Sequence, residues 1–473
     1  MQSIKHIVPR AFVVALAASS FASTSSTVGA QAAPAGKITT RALAAPTATS
    51  TETIGSLAAV RQLPNGSVLV NDQARRRVLL LDSTLHLVSV VADSTVNTNS
   101  AYGQRPGGLI AYRGDSTLFV DPASLSMLVI DPSGKLTRTM AAPRPNDVNF
   151  LTGGAMGNAG FDTKGRLVYA IRDNGMRGGF RPPEPGKPFV MPTPPDSSAL
   201  VRFDLMTRKL DTLGFYKIPK TNISVSQDDR GGMRMSMTMN PLPVVDEWVV
   251  TSDGTVAIIR GQDYHVDLYG ADGAKTSAAK IPYDWQRMTD EDKTKFLDSS
   301  KVAIEKMRAG LANGSVSPAQ AASAAGLGGF GDGGGMRTVV IGGGPGGPGG
   351  PPDGGRGGPP DAGRGGAAGP GGPGGINIPP INMVPISELP DYKPVFGQLA
   401  VRSDMDGQIW VRTIPTRPTT GGAIYEVIDN TGKLVDRVQI PVGTTIAGFG
   451  KGRVVYLGMR DDKGIHVQRA ISK

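Results

Sequence analysis

The residues in this chain with the clearest chemical potential are arginines. Arg75, Arg77, Arg172, Arg260, Arg412 and Arg460 each stand at or just beyond the end of a short apolar run. A guanidinium fork matches the oxygens of a carboxylate or phosphate bidentately, so arginines converging from different segments would hold an anion. Aspartates beside some of them, as in Arg172-Asp173 and Arg460-Asp461, offer the plainer alternative of local ion pairs. A second pattern is Met233, Met235, Met237 and Met239, at every second position. On a strand that spacing puts four thioethers on one face. Such a strip is a soft donor set suited to Cu(I), or an apolar surface that packs on its neighbours. Histidine offers less. Beyond the N-terminal His6, His86, His265 and His466 lie in separate segments, and no Ser-His-Asp grouping can be read from their order.

What would position such residues is a repeat. Six units each carry a small apolar strand, a tight turn and a stronger apolar strand. The turns are Leu63-Pro-Asn-Gly66, Arg113-Gly-Asp115, Thr163-Lys-Gly165, Ser252-Asp-Gly254, Asp404-Met-Asp-Gly407 and Gly450-Lys-Gly452. Gly, Asn and Asp recur where a hairpin needs positive φ. Most units continue with a second hairpin, as after Arg77-Val-Leu-Leu-Leu-Asp82 and Ile424-Tyr-Glu-Val-Ile-Asp429, where the final Asp opens a β-turn. Four antiparallel strands recurring about every 45–50 residues predict an all-β, six-bladed β-propeller. The sixth unit runs out of chain after Gly464–Arg469, one strand short. The segment near residues 37–43 is therefore expected to pair with 464–470 and close the ring, which removes two aggregation-prone edges. In this fold the loop between second and third strands opens on the same face as the blade-to-blade connections. The six arginines would then stand on the rim of a central channel.

The rest of the chain frames that ring. Residues 1–32 have a basic start (Lys5, His6, Arg10), an apolar run from Ala11 to Ala22 and the small-x-small end Ala30-Gln31-Ala32. This is the pattern of a signal peptide cleaved near Ala32, too short to span a bilayer, and it implies a periplasmic or secreted protein. Blades one to four are expected within 33–285 and blades five and six within 392–473. Between them, 286–391 reads as an insertion. Its helix, 289–310, has Thr289 as cap, Asp290-Glu-Asp in the first turn and a loose apolar face of Phe296, Val302, Ile304 and Met307. The Gly/Pro-rich tract 326–375 cannot bury enough apolar surface to fold and is expected to be disordered. Its Gly342-Gly-Gly-Pro-Gly-Gly lacks the Lys-Ser/Thr of a phosphate loop. The absence of cysteine excludes disulfides, thiolate metal sites and a cysteine nucleophile. The net charge is +10, and +8 once Lys5 and Arg10 leave with the signal peptide. That balance favours anionic partners, and export sets nucleic acid aside.

The blade pattern, with Gly66-Ser-Val-Leu-Val-Asn-Asp72 followed by Arg77-Val-Leu-Leu-Leu-Asp82, resembles the NHL/TolB-like six-bladed propellers. The resemblance covers about 37–285 and 392–473, at superfamily level. It implies that the channel is the functional part, since some relatives are lactonases or lyases holding Ca²⁺ or Zn²⁺ there. Asp72, Asn158 and Asp173 are the residues such a metal would use here, and the inward glutamate of the lactonase type has no evident counterpart. The expectation is a monomeric binding protein that needs no cofactor. Its channel rim would recognise an anionic small molecule, a polysaccharide or an envelope protein. The alternative is a Ca²⁺-dependent hydrolase or lyase using the channel.

Overall fold

The structure is a computed structural model that describes residues 38–153, 158–171, 195–220, 222–227, 233–312, 381–417 and 419–472. Residues 1–32, read from the sequence as a signal peptide, and Arg172, Asp173 and the tract 326–375 lie outside the described residues. The described strands form six antiparallel blades, running inner to outer in chain order except where N-terminal strands complete blade six and extend blade five. Blade one is Leu57–Gln62, Val68–Asp72, Arg77–Leu81 and Leu87–Ala92. The inner strands of blades two to six are Gly108–Ala111, Gly160–Phe161, Glu247–Val250, Val401–Ser403 and Thr444–Gly450. Second strands such as Val68–Asp72 and Thr117–Asp121 are buried at every residue, because a middle strand has a neighbouring blade on both faces. Their continuous apolar runs in the sequence are the direct consequence. Outer strands such as Leu136–Ala141 are half exposed and carry the polar residues.

The ring is closed by packing as well as by strand order. Leu69 and Phe119 share a core between blades one and two, and Val120 with Tyr169 between two and three. Val168 packs with Trp248 between blades three and four, and Val249 with Val401 between four and five. Trp410 and Phe449 join blades five and six, and Tyr456 with Val68 joins the last blade to the first. At the foot of each inner hairpin the backbone needs positive φ. Gly254, at φ +83°, also lies so close to blade three that a Cβ would sit 2.6 Å from the Thr163 nitrogen, so only glycine fits.

Closure differs from the expectation in its address. The strand that pairs with Gly464–Ile471 is Ala48–Thr49, antiparallel, with Ala48 opposite Arg469. Thr47 and Ser50 extend the ladder through their own N–H groups to Arg469 and Val467. The segment Thr40–Ala42 instead runs parallel to Arg437–Gln439 and adds a fifth strand to blade five. Side chains explain the choice. Leu43 is buried in the core between blades five and six, and the Arg41 guanidinium pairs with Asp436. The closing strand has no apolar alternation. It is held by Ser50, whose Oγ accepts the Val467 N–H at 3.0 Å, and by fully buried Ile54.

The insertions all leave from the face of the second-to-third strand loops. Between blades three and four, Asn222–Gln227 and Met233–Met239 form a hairpin, and Ile381–Met383 joins it in parallel. Helix α1 spans Asp290–Ala312. Thr289 caps it reciprocally: its Oγ1 accepts the Asp292 N–H at 3.2 Å, and the Asp292 carboxylate accepts the Thr289 N–H at 3.0 Å. Leu297 packs with Leu242, Val384 and Leu389, with Phe296 against them, and Ile304 is buried, whereas Val302 points to solvent at 68 % exposure. No helix among the described residues is long and apolar enough to cross a membrane.

Candidate functional site

Three of the rim arginines, Arg75, Arg77 and Arg260, are spent on holding the ring together. Asp72, at the end of blade one's second strand, is completely buried. Its carboxylate accepts the N–H groups of Gly55 and Ser56 at 3.0–3.1 Å and the Arg77 Nε at 3.1 Å. Arg77 also pairs with Glu52 at 2.9 Å and donates to the Thr53 carbonyl, and Arg75 reaches the same carbonyl. These residues pin the connection from the last blade to the first. In blade four, Arg260 donates to Asp246 at 2.8 Å and to Asp267 at 2.7 Å. Burial pushes the Asp267 carboxyl up, but hydrogen bonds from Ser277, Lys275 and Arg260 prevail and hold it at about 2. The rule behind both clusters is that a buried carboxylate must be paired or fully hydrogen-bonded.

The remaining rim candidates fare differently. Arg460 is exposed at the end of blade six's second strand, and Asn158 is exposed at the start of blade three. Met233, Met235 and Met237 lie in the hairpin strand, but their side chains lie outside the described residues. Met239 ends that strand, opposite Met383. Among the described residues no group of three or more His, Asp or Glu could hold a metal ion. The histidines are local partners: His265 lies between Asp263 at 2.8 Å and Asp267 at 3.4 Å, and His466 contacts the Ser50 carbonyl at 2.9 Å.

Arg412 is half-buried at the end of blade five's second strand, and there it has a companion that reading the rim alone passes over. Arg402 sits in the inner strand, directly opposite Trp410 and therefore on the same face of the sheet as Arg412. That face looks toward blade six, where Trp410 is buried with Tyr425 and Phe449. Burial is the main cause that holds the Arg402 guanidinium below its ordinary pKa. The Arg412 charge adds to it, while Tyr425 and Glu247 pull the other way. Among the described residues the Arg402 side chain makes no hydrogen bond or ion pair, and Glu247 is the acid that acts on it through its charge. Glu247 is an inner-strand acid that the sequence reading also passed over. It is buried at the start of blade four, and its Oε1 accepts the Leu399 N–H at 2.9 Å. The signal for Arg402 was present: a charge between Val401 and Ser403 in an inner strand, at a position that is apolar or glycine in blades two, three, four and six and arginine in blade one.

No protein family model matches this sequence, and no curated protein matches it. Solved structures are similar in fold. Virginiamycin B lyase from Staphylococcus aureus is 8 % identical, with a TM-score of 0.35 over 90 % of this chain and 98 % of that one. A gluconolactonase from Xanthomonas campestris is 11 % identical, with a TM-score of 0.34 over 93 % and 99 %. A luciferin-regenerating enzyme is 9 % identical, with a TM-score of 0.35 over 90 % and 96 %. The site stands on its own geometry: two guanidinium groups at the wall of blade five, with Glu247 the acid that acts on one of them.

Proposed function

We propose that this chain is an exported propeller that binds an anionic ligand, and that Arg402 and Arg412 are the groups that hold it. The observation that carries this reading is Arg402, a half-buried cation on the same sheet face as Arg412, whose side chain makes no hydrogen bond or ion pair among the described residues. A buried charge without a partner is costly, and two like charges side by side cost more. The arrangement makes physical sense when an incoming carboxylate or phosphate supplies the missing charge through bidentate hydrogen bonds. The metal-dependent alternative needs a cluster of oxygen or nitrogen donors. Asp72, its best candidate, is already taken by backbone N–H groups and Arg77.

The test is titration of the mature chain with carboxylates and inorganic phosphate at low and high salt. Affinity is expected to fall as salt screens the pair. Arg402→Gln is expected to weaken binding by at least tenfold, which corresponds to about 1.4 kcal/mol. Unchanged affinity in that variant would remove the proposal.

A further inference from the structure

We infer that the anion held at the arginine pair is the carboxylate of a glycan, and that Trp285 and Tyr392 form the platform on which its sugar rings stack. This rests on the anion-binding reading and extends it.

The chain has three tryptophans. Trp248 and Trp410 are core residues at 2 % and 3 % exposure, whereas Trp285 stands out at 37 %. It belongs to a short antiparallel ribbon beyond blade four. Met288 donates its N–H to the Asp391 carbonyl at 2.8 Å, Lys393 to the Gln286 carbonyl at 2.9 Å, and Arg287 lies opposite Tyr392. Alternation therefore puts Trp285, Arg287 and Tyr392 on one face of the ribbon. Tyr392 is also open, at 49 %.

An exposed aromatic pair needs a reason to stay open, and this one is held in place. Tyr283 meets Trp285 edge-on with ring centres 5.4 Å apart, and its own hydroxyl donates to the Ile414 carbonyl at 2.9 Å. Lys393 reaches the Pro415 carbonyl at 2.7 Å. Both contacts fall on Ile414 and Pro415, two and three residues beyond Arg412, so the platform is anchored to the segment that leaves blade five at the arginine pair. A fixed aromatic ring stacks on an apolar face at little entropic cost. A pyranose presents such a face of C–H groups. Exposed Asp284 and Asp391, paired with Arg417 at 3.5 Å and Lys293 at 2.8 Å, flank the ribbon and can accept sugar hydroxyl hydrogen bonds through their remaining lone pairs. The ligand chemistry that fits is a largely neutral oligosaccharide carrying an isolated uronate.

The experiment is calorimetric titration of the mature chain with a xylan pentasaccharide bearing one glucuronate. Free glucuronate, the uncharged xylan oligomer and a single-stranded DNA oligomer serve as comparators. The pentasaccharide is expected to bind about tenfold or more tighter than glucuronate, the order of one good stacking contact. Trp285→Ala should erase that advantage and leave glucuronate binding intact, with Trp285→Phe restoring part of it. Because the other two tryptophans are buried, acrylamide quenching of fluorescence reads Trp285 directly, and the saccharide should protect it. A Trp285→Ala chain that keeps the full advantage, or DNA bound more tightly than the pentasaccharide, overturns the glycan inference. Binding of glucuronate or phosphate that depends on Arg402 would still leave the anion reading standing. Arg402→Gln binding every probe as well as wild type would sink both.

Discussion

Arg61 and Arg402 occupy the same place in two different blades. Each stands two residues before the residue that opens the inner turn, Leu63 in blade one and Asp404 in blade five, and each turn closes with the same backbone bond to a residue four further on. Both side chains are half-open by surface, and burial lowers both pKa values, that of Arg61 to about 10. Their fates then diverge. Arg61 donates through Nε to the Thr117 hydroxyl at 2.8 Å and through Nη2 to the Ser116 carbonyl at 3.2 Å, both in the next blade. The residue that corresponds to Thr117 in blade six is Val455, fully buried and without a polar atom on its side chain. The slot is therefore structural in one seam and available in the other. What decides is one hydroxyl in the neighbouring repeat.

The comparison predicts that partnered buried charges are costly to disturb. The extreme case is Glu426, which accepts the Tyr264 hydroxyl at 2.6 Å and the Arg437 Nε at 2.8 Å across the seam of blades four and five. Glu426→Ala should cost about 3–5 kcal/mol, since it strands the Arg437 charge. Urea unfolding would read it, and a loss below about 1 kcal/mol would mean that partnering contributes little in this ring. Asp267 gives the same lesson by pH. Its carboxyl is held at about 2, below an ordinary value near 3.9. A depressed carboxylate stabilises the fold above its unfolded pKa, and that stability is lost as pH falls through the folded value. Acidification from about pH 4 to pH 2 should thus remove roughly 2 kcal/mol that Asp267→Asn does not have to lose. The check is a pair of pH-dependent melting curves that converge in acid.

The direct contrast comes next in size. Arg61→Gln should destabilise by about 1–3 kcal/mol, because Thr117 and Ser116 lose a charged donor. Arg402→Gln should be neutral or stabilising by about 1 kcal/mol, as residues kept for binding at the expense of stability often are. Equal losses in both variants would make Arg402 a structural arginine and end its candidacy as a ligand group.

How much of this was readable from the chain follows from the length scale of each interaction. The blades were legible because turn chemistry and strand alternation are local, so Gly66, Gly254 and Gly407 mark hairpin ends without reference to anything distant. The helix was legible for the same reason: Thr289 and Asp292 lie three residues apart. The closing strand was misplaced because Thr47–Ser50 is held by backbone ladder bonds and one serine, and neither leaves an apolar pattern. Lys37–Leu43 has the pattern, but Leu43 spends it on the seam between blades five and six. Rim arginines were legible as a set, yet their roles were not. Whether Arg260 is free depends on Asp246, brought in by a connection from blade three, and Arg402 depends on Val455, some fifty residues away in sequence.

That dependence suggests the finest test of the comparison, which is to transplant the missing hydroxyl. Val455→Thr puts in blade six the group that Thr117 supplies in blade two. A threonine in an apolar core costs stability unless its hydroxyl finds a partner. If Arg402 lies where Arg61 lies, it becomes that partner, so the substitution should cost less in the wild-type chain than in Arg402→Gln. The coupling expected from a double-mutant cycle is about 0.5–1.5 kcal/mol, the size of one hydrogen bond. The same substitution should weaken ligand binding, because an arginine occupied by a hydroxyl has less to offer a carboxylate. Zero coupling would show that the two slots are equivalent in backbone register only, and that Arg402 extends into the channel away from blade six.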